Sequence, residues 1–121
     1  MGNLIRTASD AVRREQAFTA RFSPFEVIAL LGLPQTPQTT AELAGEFVVI
    51  QGVADLLVLR SDQIWLVDFK TDALAPEELA DKIRYYEPQI LLYSAALAKI
   101  YDRPVTRRWL HFLALNQTKE V

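Results

Sequence analysis

Residues 63–70, QIWLVDFK, follow the apolar segment 46–60, EFVVIQGVADLLVLR, and only Ser61 and Asp62 separate the two. Both segments are rich in β-branched and aromatic residues, which favour strands, and a two-residue connection suits a hairpin turn. The first segment is apolar on both faces, which is typical of a strand that is covered on both sides. The sequence therefore predicts a central β-hairpin.

The register of this hairpin brings two aspartates together. If residues 61–62 form the turn, Arg60 pairs with Gln63, and every further pair follows from that one. Asp55 then lies directly opposite Asp68, at a Cβ separation of about 4.5–5.5 Å where like charges repel. A slip by one residue would place one aspartate on the other face.

Lys70 adds a positive charge to the same face, because it lies two residues beyond Asp68. Phe69 points the other way, and we expect it to enter the core. Two carboxylates and an ammonium group suit a hard cation such as Mg²⁺, which binds a few carboxylate oxygens and keeps several waters. A nearby lysine can orient the attacking water or offset charge on a phosphate. The alternative is a structural Asp–Lys ion pair, with the second aspartate in solvent.

The rest of the chain predicts a mixed α/β or α+β domain. Outside the hairpin we expect the following elements: the end of a helix over residues 3–14, a strand over 15–22, a short helix over 24–34 closed by Gly32, a loop over 34–46, helices over 76–86 and 88–102 or one helix kinked at Pro88, and a last strand over 105–115. The helix over 88–102 is apolar nearly all round, which predicts burial.

The composition limits the classes of function. A chain of 121 residues with 50% hydrophobic and 23% charged residues suits one soluble domain. It contains no cysteine, which excludes disulfides, thiolate nucleophiles and iron–sulfur clusters, and suits a reducing cytoplasm. No apolar run is long enough to span a bilayer, so no membrane partner is expected. The net charge of −2 is unusual for a stand-alone nucleic-acid binder, which is normally basic.

Four segments resemble, in the right order, the motifs of RecB-like nuclease domains in the PD-(D/E)XK superfamily. They are RREQAF (13–18), QGVADLLV (51–58), WLVDFKTD (65–72) and YEPQILLYSAAL (86–97). Such domains occur at the C-terminal end of AddA- and RecB-type helicase–nucleases. The resemblance implies a restriction-endonuclease-like core, in which a mixed β-sheet is flanked by helices. It also implies that residues 1–121 form a single domain, a C-terminal fragment of a longer helicase–nuclease.

The resemblance implies a metal site. Asp55, Asp68 and the backbone carbonyl of Phe69 would be the metal ligands, and Lys70 would be the catalytic lysine. Glu15 is a further candidate ligand, for which a solvated glutamate at a strand end is the alternative.

The resemblance also implies contacts to DNA from one helix. Gln89 and Tyr93, four residues apart, share a helix face, and Tyr86 joins them. The alternative for Tyr93 is a place in the core. RecB-like domains carry an earlier helix whose histidine or glutamate completes the metal shell. The single histidine of this sequence, His111, lies in the last predicted strand, and we interpret it as structural.

The activity that the resemblance implies is Mg²⁺-dependent hydrolysis of single-stranded DNA during double-strand break repair in a bacterial cytoplasm, with Mn²⁺ as a substitute metal. The expected partners are helicase motor domains in the same parent chain and a second helicase–nuclease subunit. Without the upstream ligand helix, the isolated chain is expected to show weak or no activity. Two alternatives stay open, namely a catalytically incomplete scaffold or DNA-guiding module and a stand-alone PD-(D/E)XK endonuclease.

Overall fold

The computed structural model describes residues 11–34 and 45–121, which form one mixed β-sheet with two α-helices. In chain order the elements are β1 (Ala11–Phe22), α1 (Pro24–Leu31), β2 (Val48–Leu59), β3 (Ile64–Lys70), a 3₁₀ turn (Pro76–Glu78), α2 (Leu79–Tyr101), β4 (Val105–Phe112) and β5 (Gln117–Glu120). The strands lie side by side in sequence order. All neighbours are antiparallel except β3 and β4, which are parallel and joined by α2. The predicted mixed sheet with helices is confirmed.

The predicted hairpin and its register are confirmed. The backbone N–H of Arg60 donates to the carbonyl of Gln63 over 2.9 Å. Residues 56–59 then pair with residues 64–67 as the two-residue turn requires. One further step along this register places Asp55 opposite Asp68.

The short helix α1 begins and ends where the sequence predicts. Ser23 and Glu26 form a capping box, in which each side chain accepts a hydrogen bond from the other residue's backbone N–H, over 3.2 and 3.0 Å. Gly32 ends the helix in the left-handed conformation, with φ 68°. Most of the predicted loop, residues 35–44, lies outside the described residues.

The long segment after the hairpin is one continuous helix of 23 residues that contains Pro88. The expectation that its second half is buried all round is wrong. The helix lies against one face of the sheet and buries one stripe, formed by Ile90, Ser94, Ala96 and Leu97. A helix on the surface of a single sheet has a solvent side, whatever its apolar content.

Both ends of the fold extend the sheet beyond the prediction. Residues 1–10 of the predicted first helix lie outside the described residues, but Ala11–Arg14 belong to β1, so a helix there is wrong. These residues pair with Leu56–Leu59 and satisfy backbone groups that would otherwise form a free edge. The predicted last strand ends at Phe112, and a turn leads into Gln117–Glu120, which was not predicted.

Two apolar clusters lie on opposite faces of the sheet. The helix-side cluster includes Phe18, Phe22, Leu57, Ile64, Leu66, Ile90, Leu97, Leu110 and Phe112. The opposite cluster consists of Leu56, Val58, Trp65, Val67 and Trp109. Residues 56–59 of β2 are thus buried on both faces, as predicted. The expectation that the whole segment 46–60 is covered on both sides is wrong, because Phe47, Val49 and Val53 are exposed on a face that no element covers among the described residues. Within the described ranges, no helix has the length and apolarity needed to cross a bilayer.

Candidate active site

Asp55 lies where β2 changes the face to which its side chains point. Ala54 and Leu57 both join the helix-side cluster, so the regular alternation breaks between them. Opposite this break, Glu15 of β1 has φ 49° and separates two stretches of regular pairing. A left-handed conformation costs a non-glycine residue about 1–2 kcal/mol. Irregularities of this kind recur beside active sites, where they redirect a side chain.

The carboxylate of Asp55 reaches across to β3. Its Oδ2 accepts a hydrogen bond of 2.7 Å from the backbone N–H of Phe69. Backbone pairing between the two strands ends at Leu56 and Val67, so a side chain replaces the next ladder bond. Because an extended residue directs its N–H and C=O to the same side, the Phe69 carbonyl also faces β2. A carboxylate and a carbonyl therefore converge beside the sheet.

Asp68 is a buried carboxylate, with 8% of its surface exposed. The ammonium nitrogen of Lys70 lies 2.9 Å from its Oδ2. That oxygen nevertheless has no hydrogen bond within the described ranges, so the contact is an ion pair without hydrogen-bond geometry. Burial, and then the neighbouring Asp55, raise the pKa of Asp68 to about 6, while Lys70 acts in the opposite direction. A buried oxygen without a hydrogen bond is available to a cation.

Two side chains of helix α2 contact the ammonium group of Lys70. The ammonium donates a 2.8 Å hydrogen bond to Oε1 of Gln89 and lies 3.9 Å from the centre of the Tyr86 ring. The structure therefore brings Asp55, Asp68, Lys70, Gln89 and Tyr86 together at one end of the β2–β3 hairpin.

Tyr93 lies one helical turn further along α2 and is partly a packing residue. Its ring meets Phe18 edge-on, with centroids 4.9 Å apart. A Cβ atom on Gly52 would lie 2.5 Å from the Tyr93 hydroxyl oxygen, so the glycine allows this close approach. Tyr93 also lines a cavity of about 440 Å³ together with Tyr86 and Gln89. Tyr93 therefore packs in the core and also lines the cavity, and the sequence had offered these two positions as alternatives.

The donor set suits a hard cation with water ligands. Among residues 11–34 and 45–121, no three side chains of His, Cys, Asp or Glu are grouped so that they could hold a metal ion. The site offers two carboxylates and a carbonyl, which are hard oxygen donors. Mg²⁺ binds through one or two carboxylates and takes its other ligands from water and phosphate. The residues present fit such an ion.

Comparison with known proteins identifies the family of this chain. A model of the PD-(D/E)XK nuclease superfamily matches residues 2–120. The chain belongs to this superfamily. The resemblance carried by the four motifs is confirmed.

Several bacterial proteins named as ATP-dependent helicase/nuclease subunits are similar to this nuclease-superfamily chain. The one from Carboxydothermus hydrogenoformans is 33% identical over 98 residues, which cover 73% of the chain and 8% of the relative. The one from Moorella thermoacetica is 32% identical over 113 residues, which cover 93% of the chain and 7% of the relative. The one from Pediococcus pentosaceus is 30% identical over 125 aligned positions, which cover 100% of the chain and 9% of the relative. The chain therefore spans less than a tenth of the length of these relatives.

Glu15 lies on the strand next to Asp55. It lines a cavity of about 330 Å³ with Arg14, Asp55 and Phe69. Its left-handed backbone is held opposite Asp55 by regular pairing on either side. Its side chain is not grouped with the carboxylates of Asp55 and Asp68 closely enough to form a three-ligand site among the described residues.

The expectation that Phe69 enters the core is wrong, because 40% of its surface is exposed. It points to the face opposite Lys70, as predicted, but it lies beyond the paired part of β2, where the opposite cluster ends. Its ring meets His111 edge-on at 6.0 Å. Nδ1 of His111 lies at hydrogen-bonding distance, 2.7 Å, from the Thr118 hydroxyl, which agrees with a structural role.

Asp72 is a residue of the site that the sequence did not predict. The hydroxyl of Tyr86 donates to its carboxylate, with 2.7 and 2.8 Å to the two oxygens. This bond raises the pKa of Tyr86 to about 12 and holds the pKa of Asp72 below its usual value. Lys82 lies 3.4 Å from the same carboxylate. One signal was present, since Asp72 is the third charged residue in the 68–72 stretch.

Proposed function

We propose that the chain is the Mg²⁺-dependent DNA nuclease domain of an AddA/RecB-like helicase–nuclease. It would hydrolyse phosphodiester bonds of single-stranded DNA during double-strand break repair. The observation that carries the proposal is the buried Oδ2 of Asp68, which has no hydrogen bond from any described residue and lies 2.9 Å from the Lys70 ammonium nitrogen.

The metal would be held by Asp55, Asp68 and the backbone carbonyl of Phe69. Mn²⁺ shares the preference for oxygen ligands and is the expected substitute. A bound ion would stabilise negative charge on the phosphate and make water a stronger nucleophile. Glu15, which lines the same cavity as Asp55, is proposed as a further ligand.

Lys70 would be the catalytic lysine. Its ammonium group would orient the attacking water and offset the charge that develops on the phosphate. Gln89 holds this group through Oε1, which leaves its amide hydrogens free to donate to DNA. Tyr86 and Tyr93 line the adjoining cavity, where aromatic rings can stack on unpaired bases.

The parent protein would supply the grip on DNA. The names of the relatives join a helicase to a nuclease, and the chain spans less than a tenth of their length. Motor domains in the same chain, with a second helicase–nuclease subunit, would feed one strand to this C-terminal domain in the bacterial cytoplasm. The net charge of −2 supports this, because a tethered domain needs little affinity of its own.

The test combines metal titration with DNA cleavage. Mg²⁺ and Mn²⁺ are titrated by calorimetry into the chain, into Asp68→Ala and into Lys70→Ala, and each is assayed on a single-stranded oligonucleotide. Asp68→Ala is expected to lose metal binding. Lys70→Ala is expected to keep it, because removal of a positive charge does not weaken a cation site. Both should lower cleavage at least about a hundredfold.

Asp62→Ala is the matched control, since it removes an exposed aspartate from the turn of the same hairpin. It should match the wild type in both assays. Metal binding that persists in Asp68→Ala would place the ion elsewhere and refute the site. A folded wild type that binds no metal would favour the scaffold alternative.

A further inference from the structure

We propose that Tyr86 and Asp72 form a brace that fixes the position of the Lys70 ammonium group. The brace is defined by the Tyr86 ring beneath the ammonium and the Asp72 carboxylate at the end of that ring. Its catalytic consequence rests on the nuclease function proposed above. Its geometry does not depend on that function.

The first contact of the brace is between charge and ring. The ammonium nitrogen of Lys70 lies 3.9 Å from the centre of the Tyr86 ring. The negative face of an aromatic ring attracts a cation, most strongly where water is scarce. The Lys70 side chain is only 11% exposed, so this contact is largely shielded from solvent.

The second contact fixes the ring itself. The Tyr86 hydroxyl donates to Asp72, with both carboxylate oxygens within 2.8 Å. Tyr85 meets the same ring edge-on, with centroids 5.0 Å apart. A tyrosine ring held at its hydroxyl end and against its neighbour keeps one orientation, so its face stays beneath Lys70.

The brace matters because Asp68, which also holds Lys70, is a proposed metal ligand. Asp68 pairs with Lys70 through the same Oδ2 that is available to a cation. A cation on that oxygen would compete with the ammonium for its negative charge. Gln89 and the Tyr86 ring would then be the contacts that keep Lys70 in place.

The experiment follows the ε-methylene resonances of Lys70 in the lysine-labelled chain by ¹H–¹³C NMR, without metal or DNA. Protons over an aromatic face shift upfield, so the wild type should show a displaced Lys70 signal, assigned by its loss in Lys70→Arg. Tyr86→Leu should abolish the displacement. Tyr86→Phe and Asp72→Ala should each reduce it by a similar amount, and the double variant should be no worse than either. Asp72→Asn keeps an acceptor oxygen and should restore most of it.

Cleavage by the same variants measures the consequence. Tyr86→Phe and Asp72→Ala keep the ring and should lower kcat by a few-fold at constant KM. Tyr86→Leu should lower kcat roughly tenfold and also raise KM, because it removes a ring proposed to stack on DNA. Arg84→Ala is the control, because this exposed side chain of the same helix pairs with Asp81, outside the brace. It should leave both kcat and the Lys70 signal unchanged.

A Lys70 signal that is identical in the wild type, Tyr86→Phe and Asp72→Ala would overturn the brace, and these variants decide the matter even if Tyr86→Leu does not fold. A purely structural role would lower the melting temperature and leave that signal in place. A folded wild type that binds neither Mg²⁺ nor Mn²⁺ but shows a displaced Lys70 signal would refute the nuclease proposal and uphold the brace.

Discussion

At the scale of single residues, Asp68 is an acid whose ionisation opposes folding. Its pKa is about 6 in the folded chain, against 3.8 for an ordinary aspartate, and burial is the main cause. The folded state therefore binds more protons than the unfolded state between these values, and stability is lost as pH rises from about 4 to about 6. Asp68→Asn removes this loss. As pH rises from 4 to 7, the free energy of unfolding of Asp68→Asn should increase by about 1–3 kcal/mol relative to that of the wild type. Urea denaturation of both proteins measures this difference.

The pH profiles of the two proteins decide this prediction. Saturating Mg²⁺ is the internal control, because a metal that binds the ionised carboxylate should cancel the loss in the wild type and leave Asp68→Asn unchanged. Parallel profiles without metal would show that Asp68 titrates as an ordinary surface carboxylate.

The sequence predicted some of the contacts in the site and missed others, for physical reasons. Asp55, Asp68 and Lys70 were predicted to meet because a two-residue turn fixes the register and strands alternate with a period of two. The contact of Tyr86 with Asp72 was beyond reach, because it depends on the path of the chain between β3 and α2. The exposure of Phe69 was missed because alternation assigns a face and does not say what covers it.

At the scale of elements, α2 carries an unfavourable residue beside the site. Pro88 lies inside this helix, lacks the N–H that would donate to Arg84, and crowds that carbonyl. Pro88→Ala should raise the free energy of unfolding by about 1–3 kcal/mol. It should also lower cleavage several-fold, because the next residue, Gln89, holds Lys70. Thermal unfolding and kcat on one preparation measure both.

Glu87→Ala is the control for this change, since it alters the preceding exposed helix position without touching the backbone. It should shift the free energy of unfolding by less than about 0.5 kcal/mol and leave kcat unchanged. Loss of stability in Pro88→Ala would show that the restriction that proline places on the unfolded chain outweighs the missing hydrogen bond.

Element boundaries were predictable where local chemistry sets them. Ser23, Glu26 and Gly32 fix the ends of α1 through side-chain and backbone caps, and these lie within a few residues of one another. β5 was not predictable, because its sequence, QTKE, has no apolar alternation and its pairing with β4 supplies the reason to be a strand. The same holds for Ala11–Arg14, whose partners lie in β2.

At the scale of the whole molecule, the charge distribution limits how the domain meets DNA. The net charge is −2, and two lysines of the site, Lys70 and Lys82, already pair with Asp68 and Asp72. The chain alone should therefore bind a single-stranded oligonucleotide with a Kd weaker than about 1 µM at 0.15 M salt. The slope of log K against log salt should stay below about 2 in magnitude, since each phosphate contact contributes about 0.7. Fluorescence anisotropy over a range of salt concentrations measures both quantities.

A charge reversal beside the cavity tests the cause of this weak binding. Asp81→Lys adds a cation beside Tyr85, which lines the cavity with Gln89 and Tyr93. It should tighten binding several-fold and steepen the salt slope by about 0.7. Asp62→Lys makes the same change at the far end of the hairpin and should have little effect, because the electrostatic contribution falls with distance from the bound strand. Tight, steeply salt-dependent binding by the wild type would mean that the chain carries a complete DNA-binding surface. The affinity would then come from this domain and not from its attachment to a motor.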